Sequence, residues 1–208
     1  MIRLGYLDEN KGNRNTFYRI FKKEFEVVML DDFEKVFTLD LLLKEIDKQE
    51  IQVLAVDYKL ADSGVVQYDG DQVLEAINEH KRYFPVFMMT SYVDAAIHKV
   101  NNTFLVNDKD GLSDPKIVEL LKSQIAGSVE SYNRIVSGIE QRTKELETKQ
   151  NTGLSKAEET ELLNLHVELN KIDPISNPLS PDKMQTETIK DLRDAVALSE
   201  KILRSLRK

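Results

Sequence analysis

Three carboxylates stand where strand-like runs end. Asp8 and Glu9 follow the apolar run from Ile2 to Leu7, and Asp57 closes the run Ile51-Gln52-Val53-Leu54-Ala55-Val56. Strands that alternate with helices stack into a parallel sheet, and the carboxyl ends of neighbouring strands open into one crevice. Acidic groups gathered there invite a hard divalent cation, and the oxygen-only donor set suits Mg²⁺. A further run ends on a hydroxyl, Thr90 in Phe87-Met88-Met89-Thr90-Ser91. A carboxylate attacks an anionic phosphoryl group poorly unless the approach is neutralised, and a metal ion, a hydroxyl and an ammonium together would do that.

Taken singly, each residue has a plainer reading. An acidic pair after a strand is often a solvated turn, and Thr-Ser after a strand often caps the next helix. The argument rests on their order along the chain, which requires elements that bring them together.

Those elements are legible in the first 125 or so residues. Short apolar runs are predicted as strands at Ile2 to Leu7, Glu26 to Leu30, Ile51 to Asp57, Pro85 to Thr90 and Thr103 to Asn107. Helical patterns lie between them near 12–24, 38–48, 69–82 and 92–99. The Ile51 run, aliphatic and β-branched apart from Gln52, reads as a central strand buried on both faces. The expected fold is therefore α/β, a flavodoxin-like five-stranded parallel sheet.

From about Asp114 the pattern becomes long-helical. Val118, Leu121, Ile125, Tyr132, Ile135, Ile139 and Leu146 form a three-four stripe interrupted by Ser128 and Arg142. Gly153 punctuates it, and Ser155 with Glu158 forms a capping box for a helix carrying Leu162, Leu165, Leu169 and Ile172. A proline-bearing linker, 173–182, precedes a third stripe of Ile189, Leu192, Val196, Leu203 and Leu206. The expectation is an α/β domain at 1–125 and an all-α helical or coiled-coil extension at 126–208.

Composition narrows the function. The net charge of −7 offers no general attraction to nucleic acid or anionic lipid. Acidic and basic side chains of the extension are nearly balanced and interspersed, as on the solvated faces of a helical bundle. The absence of cysteine removes thiolate chemistry and disulfides. No apolar run approaches the roughly 18 residues of a membrane span, and the amino terminus lacks a signal-peptide pattern, so a cytoplasmic location is expected. His80, His98 and His166 are scattered, and the glycines form no phosphate-cradling loop.

The ordered set over residues 1 to 125 resembles the receiver domain of bacterial two-component response regulators. In that family an acidic pair ends the first strand, the phosphoacceptor aspartate ends the third, a Thr or Ser ends the fourth, and a Lys follows the fifth. The resemblance implies that Asp57 accepts the phosphoryl group, and that Asp8, Glu9, Asp57 and the backbone carbonyl of Lys59 hold Mg²⁺. It implies that Thr90 and Lys109 bind phosphoryl oxygens, and that Thr90 with Phe104 forms the switch. It also implies a sensor histidine kinase or phosphotransfer protein as partner, with no turnover chemistry beyond the domain's own phosphotransfer and dephosphorylation. A homodimer through the carboxyl-terminal helices is the expected output.

The sequence departs from the family twice. Aligning Phe104 with the family's fifth-strand aromatic puts Asn107 where the lysine belongs, and Lys109 comes two residues late. If the strand continues, positions 107 and 109 share a face and Lys109 reaches the crevice; if the chain turns at Asn107, the site lacks its cation. The loop after Asp57, Ala61 to Gly70, is several residues longer than usual and reads either as a recognition element or as a tolerated insertion. Tyr92, two residues after Thr90, would shield an acyl phosphate from water. The alternative to a phosphorylated receiver is a phosphorylation-independent receiver-like scaffold that organises an assembly. A dehalogenase-like phosphatase would want a second aspartate where Lys59 stands.

Overall fold

The computed structural model of the chain describes residues 1–99, 106–150 and 152–179. It divides into two compact units, Met1–Arg134 and Ile135–Lys208. The first is built on a five-stranded parallel sheet: β1 (Ile2–Leu7), β2 (Phe25–Met29), β3 (Val53–Val56), β4 (Val86–Thr90) and β5 (Val106–Asp108), in the order β2-β1-β3-β4-β5. This is the doubly wound order whose ligand crevice lies at the switch between β1 and β3. Residues 1–134 thus adopt the flavodoxin-like receiver fold. The strand predicted at Thr103 to Asn107 is seen only from Val106, and Phe104 lies outside the described residues.

Helices α1 (Lys11–Phe21), α2 (Leu39–Lys48), α3 (Gly70–His80), α4 (Val93–Ile97) and the start of α5 (Pro115–Gln150) connect and follow the strands. Strand periodicity divides the core between the two sheet faces. One face buries Leu7, Leu54 and Val56 with Leu42 and Ile46 of α2 and Val73 and Ile77 of α3. The other buries Leu4, Tyr6, Val53 and Ala55 with Phe17 and Phe21 of α1 and Leu121 and Ile125 of α5. Every residue of β3 is buried, as its unbroken apolar run predicts.

Local chemistry fixes the helix starts at the carboxyl end of the sheet. Asn10 caps α1 by accepting from the Gly12 and Asn13 amides at 2.8 and 3.2 Å. Helix α3 begins at Gly70, and the amide of its capping residue Asp69 donates to Gln72 Oε1 at 3.0 Å. The predicted 69–82 helix stops at His80, and Tyr83 then takes a left-handed backbone with φ 67°. A positive φ is incompatible with continuing the helix.

In the second unit, the carboxyl-terminal part of α5 and helix α6 (Lys156–Ile172) are described. The expected capping box is present, with the Ser155 amide donating to Glu158 Oε2 at 2.9 Å. Gly153 supplies the left-handed turn at φ 101°. Arg142, which interrupts the apolar stripe in sequence, holds Glu161 by two hydrogen bonds at 2.7 and 2.8 Å. Leu146, Leu162 and Leu169 are buried, whereas Ile135 is exposed and leaves the buried stripe. The third stripe, Ile189 to Leu206, lies outside the described residues.

Candidate metal and phosphoryl site

The carboxyl ends of β1 and β3 converge because the two strands pair directly, Leu7 opposite Val56. The next residues on each are Asp8 and Asp57, which are 0% and 4% exposed. Glu9 follows, and one oxygen from each of the three carboxylates lies within 4.8 Å of the others. Carboxylates this close repel strongly unless a cation lies among them.

Lys109 supplies one. Its ammonium lies 2.8 Å from Asp8 Oδ2 and 2.9 Å from Asp57 Oδ1. The turn at Asn107 does not occur. The β4–β5 ladder runs on through Thr90 opposite Asp108, and the Lys109 amide donates to the Thr90 carbonyl at 3.1 Å. The strand ends at Asp108, and Lys109, already in right-handed helical backbone at the next turn, reaches the crevice with its long side chain. The two-residue displacement is thereby absorbed.

Backbone and side-chain donors orient the carboxylates further. Asp57 Oδ1 accepts from the Tyr58 amide at 2.7 Å. Asp8 Oδ1 accepts from the Asn10 amide at 2.8 Å and from Asn13 Nδ2 at 3.4 Å, and Asp8 Oδ2 accepts from the Tyr6 hydroxyl at 2.6 Å. Arg14 does not pair with the cluster; its Nη1 donates to the carbonyls of Asp8 and Glu9 at 2.7 and 2.9 Å, clamping the turn that carries them. Burial pushes the Asp57 carboxyl above the usual carboxylate range, with Lys109 opposing and Asp8 adding to the rise. Glu9 is raised as well, chiefly by desolvation and then by Asp8 and Asp57, against a backbone hydrogen bond. Tyr6 is driven well above its ordinary value by burial and by Asp8, so it stays a neutral phenol.

The residues fit a divalent cation on one specific observation: Glu9 Oε2 is buried with no hydrogen-bond partner. An orphaned buried carboxylate oxygen is costly unless a ligand satisfies it. Asp8, Glu9 and Asp57 form a hard, anionic oxygen set of the kind that Mg²⁺ takes.

Thr90, fully buried, ends β4, and its Oγ1 accepts from the Tyr92 amide at 3.0 Å. Tyr92 itself is 59% exposed. The Lys59 ammonium turns to Asp62 and Asp69, 3.8 Å from each, and lies over the Tyr58 ring.

Besides the Tyr6 hydroxyl and the Arg14 clamp, two features escape sequence reasoning. Gly70 packs on the end of the β3 segment so tightly that a Cβ there would lie 2.4 Å from the Asp57 carbonyl oxygen. Its amide donates to the Tyr58 carbonyl at 2.9 Å. The long loop is not a loose insertion: Leu60, Val66 and Tyr68 are buried, and the Tyr68 hydroxyl donates to the Val36 carbonyl at 2.6 Å. The apolar Val66 and the aromatic Tyr68 were its sequence signal.

No known family profile and no curated protein matches the chain. Among solved structures, it is similar to adenylate cyclase from Rhodopirellula baltica at 18% identity, covering 67% of this chain and 95% of that one, TM-score 0.48. It is similar to the Salmonella typhimurium RcsB response regulator at 15% identity, covering 82% and 87%, TM-score 0.46. It is also similar to a signal receiver domain from Vibrio parahaemolyticus at 17% identity, covering 64% and 92%, TM-score 0.42. The fold itself is read from the strand order and from the helices packed on both sheet faces, and that is the fold of a response-regulator receiver domain.

Proposed function

We propose that residues 1–134 work as a signalling receiver that takes a phosphoryl group onto Asp57 from a histidine kinase or a phosphotransfer protein. The observation that carries this reading is the Lys109 ammonium seated between Asp8 and Asp57 at 2.8 and 2.9 Å, beside an unpartnered Glu9 oxygen. An acidic pair, an acceptor carboxylate and a cation share one crevice.

Asp8, Glu9 and Asp57 would hold Mg²⁺, with the Lys59 carbonyl as a further donor, and the ion would supply positive charge against the anionic approach. Asp57 supplies the attacking carboxylate oxygen: its bond to phosphorus forms as the donor's nitrogen–phosphorus bond breaks. Lys109 leaves its pairing with Asp57 for a phosphoryl oxygen, and the Thr90 hydroxyl donates to another. Arg14 and the α1 cap keep the Asp8-Glu9 turn from moving while charge is redistributed. Thr90, with Phe104, biases a two-state equilibrium that the extension reads out, by pairing helices of two copies. The domain is spent once per event and is not a turnover enzyme. Among the described residues no helix is long and apolar enough to cross a membrane. A cytoplasmic site of action and no nucleic-acid contact complete the proposal.

Intact mass after incubation with acetyl phosphate and Mg²⁺ tests it, with Asp57→Asn as control and light scattering alongside. One phosphoryl adduct, absent in the variant, is expected. No adduct together with no Mg²⁺ binding would replace the receiver by a phosphorylation-independent scaffold.

A further inference from the structure

Tyr6 is a core aromatic that ends in a polar contact with the site. It lies in β1 two residues before Asp8, and alternation of side chains along an extended strand puts both on one face. The residue is 1% exposed, its ring stacks on Phe17 with centroids 3.9 Å apart, and its hydroxyl donates to Asp8 Oδ2 at 2.6 Å. The ring is therefore held by the core and the hydroxyl's aim is fixed.

An ionised carboxylate offers about four acceptor positions. On Asp8, Oδ2 takes Tyr6 and Lys109, while Oδ1 takes the Asn10 amide and, at 3.4 Å, Asn13. The Asn13 contact is the longest of the four, so Oδ1 is the oxygen most easily turned to a ligand. Without the phenol, Oδ2 keeps only the ammonium of Lys109, and the carboxylate is free to rotate toward it.

Resting on the receiver reading, we infer that Tyr6 is a positioning residue: its hydroxyl fixes the rotation of the Asp8 carboxylate and so presents Oδ1 to the divalent cation. It touches neither the phosphoryl group nor the cation. Hydrogen-bond donors behind metal-binding side chains commonly govern affinity by about 10–100-fold.

The test is a calorimetric Mg²⁺ titration of the full chain, wild type and Tyr6→Phe, with metal-free thermal unfolding of each. Phenylalanine keeps the ring and the stack and removes only the donor. Phe17→Leu serves as the control, since it disturbs the stack without touching the carboxylate. The expected result is an affinity at least about tenfold weaker in Tyr6→Phe, while Phe17→Leu loses stability but stays within about twofold of wild type in affinity. An unchanged or tighter affinity in Tyr6→Phe overturns the assignment, as does a Tyr6→Phe protein that does not fold, which would place the hydroxyl's role in the core. Equal affinity losses in both variants overturn it too. A wild-type chain that takes up no Mg²⁺ removes the receiver reading and this inference together, whereas normal wild-type binding with an indifferent Tyr6→Phe removes this inference alone.

Discussion

Replacing Lys109 by methionine removes the only cation among three clustered acids that the described residues show there, and keeps the length of the side chain. The ammonium is 11% exposed and lies 2.8 and 2.9 Å from two carboxylates that are 0% and 6% exposed at the side chain. At an effective dielectric of about 20, each contact is worth about 6 kcal/mol before desolvation. Removing one partner of a buried ion pair generally costs about 3–5 kcal/mol, because the remaining charge is left uncompensated. We expect Lys109→Met to lose about that much stability in urea denaturation at pH 7 with EDTA present.

The loss carries a pH signature with a definite sign. Burial already raises the Asp57 carboxyl and Lys109 opposes the rise, so the variant's folded-state value climbs further above the unfolded one. A folded state that binds protons more tightly than the unfolded state loses stability as pH rises through that interval. The gap between variant and wild type therefore narrows as pH falls from neutrality toward about 4 and widens above it. Added Mg²⁺ should restore part of the loss at pH 7, by mass action on the folded state. A metal-free loss below about 1 kcal/mol, or a gap that does not change with pH, would refute the view that Lys109 neutralises the cluster.

Other perturbations probe separate contacts. Gly70→Ala should cost about 1–3 kcal/mol through overpacking against the Asp57 carbonyl, read by thermal unfolding, and Gly64→Ala, whose Cβ meets open space, should suffer only its left-handed backbone strain. Leu162→Ala should cost the second unit about 2–5 kcal/mol, seen as reduced helicity in circular dichroism, because this 5% exposed side chain fills the α6 core stripe. Glu158, held down to about 2 by Lys149 and by the Ser155 amide and hydroxyl, supports the α6 start fully above its ordinary value of 4.5. That support should fade as pH falls from about 4.5 toward 2, visible as loss of helical Cα shifts at residues 156–160 in NMR spectra.

Much of the site could be read along the chain because strand ends are local features. Asp8, Glu9, Asp57 and Thr90 each follow an apolar run, and the fold converts that shared position into proximity. Lys109 stayed ambiguous for a physical reason. Its placement depends on whether the edge strand holds its hydrogen bonds past Asn107, and the partner strand decides that. The features missed are lateral: the Tyr6 hydroxyl, the Arg14 clamp and the Gly70 contact depend on neighbours that periodicity does not identify. The loop after Asp57 reads as a recognition element or a tolerated insertion, and length alone does not show that Val66 and Tyr68 anchor it in the core. Phe104 and the third stripe lie outside the described residues.

The loop's two ends are tied to each other. The Leu60 and Ala61 amides both donate to Asp69 Oδ1 at 3.0 Å, and Gly70 closes on Tyr58 immediately behind. A loop pinched at its base transmits little of what happens at its tip. The tip at Asp62, Ser63 and Gly64, with its open left-handed glycine, is thus a place where residues can be exchanged or added while the backbone at Asp57 stays still.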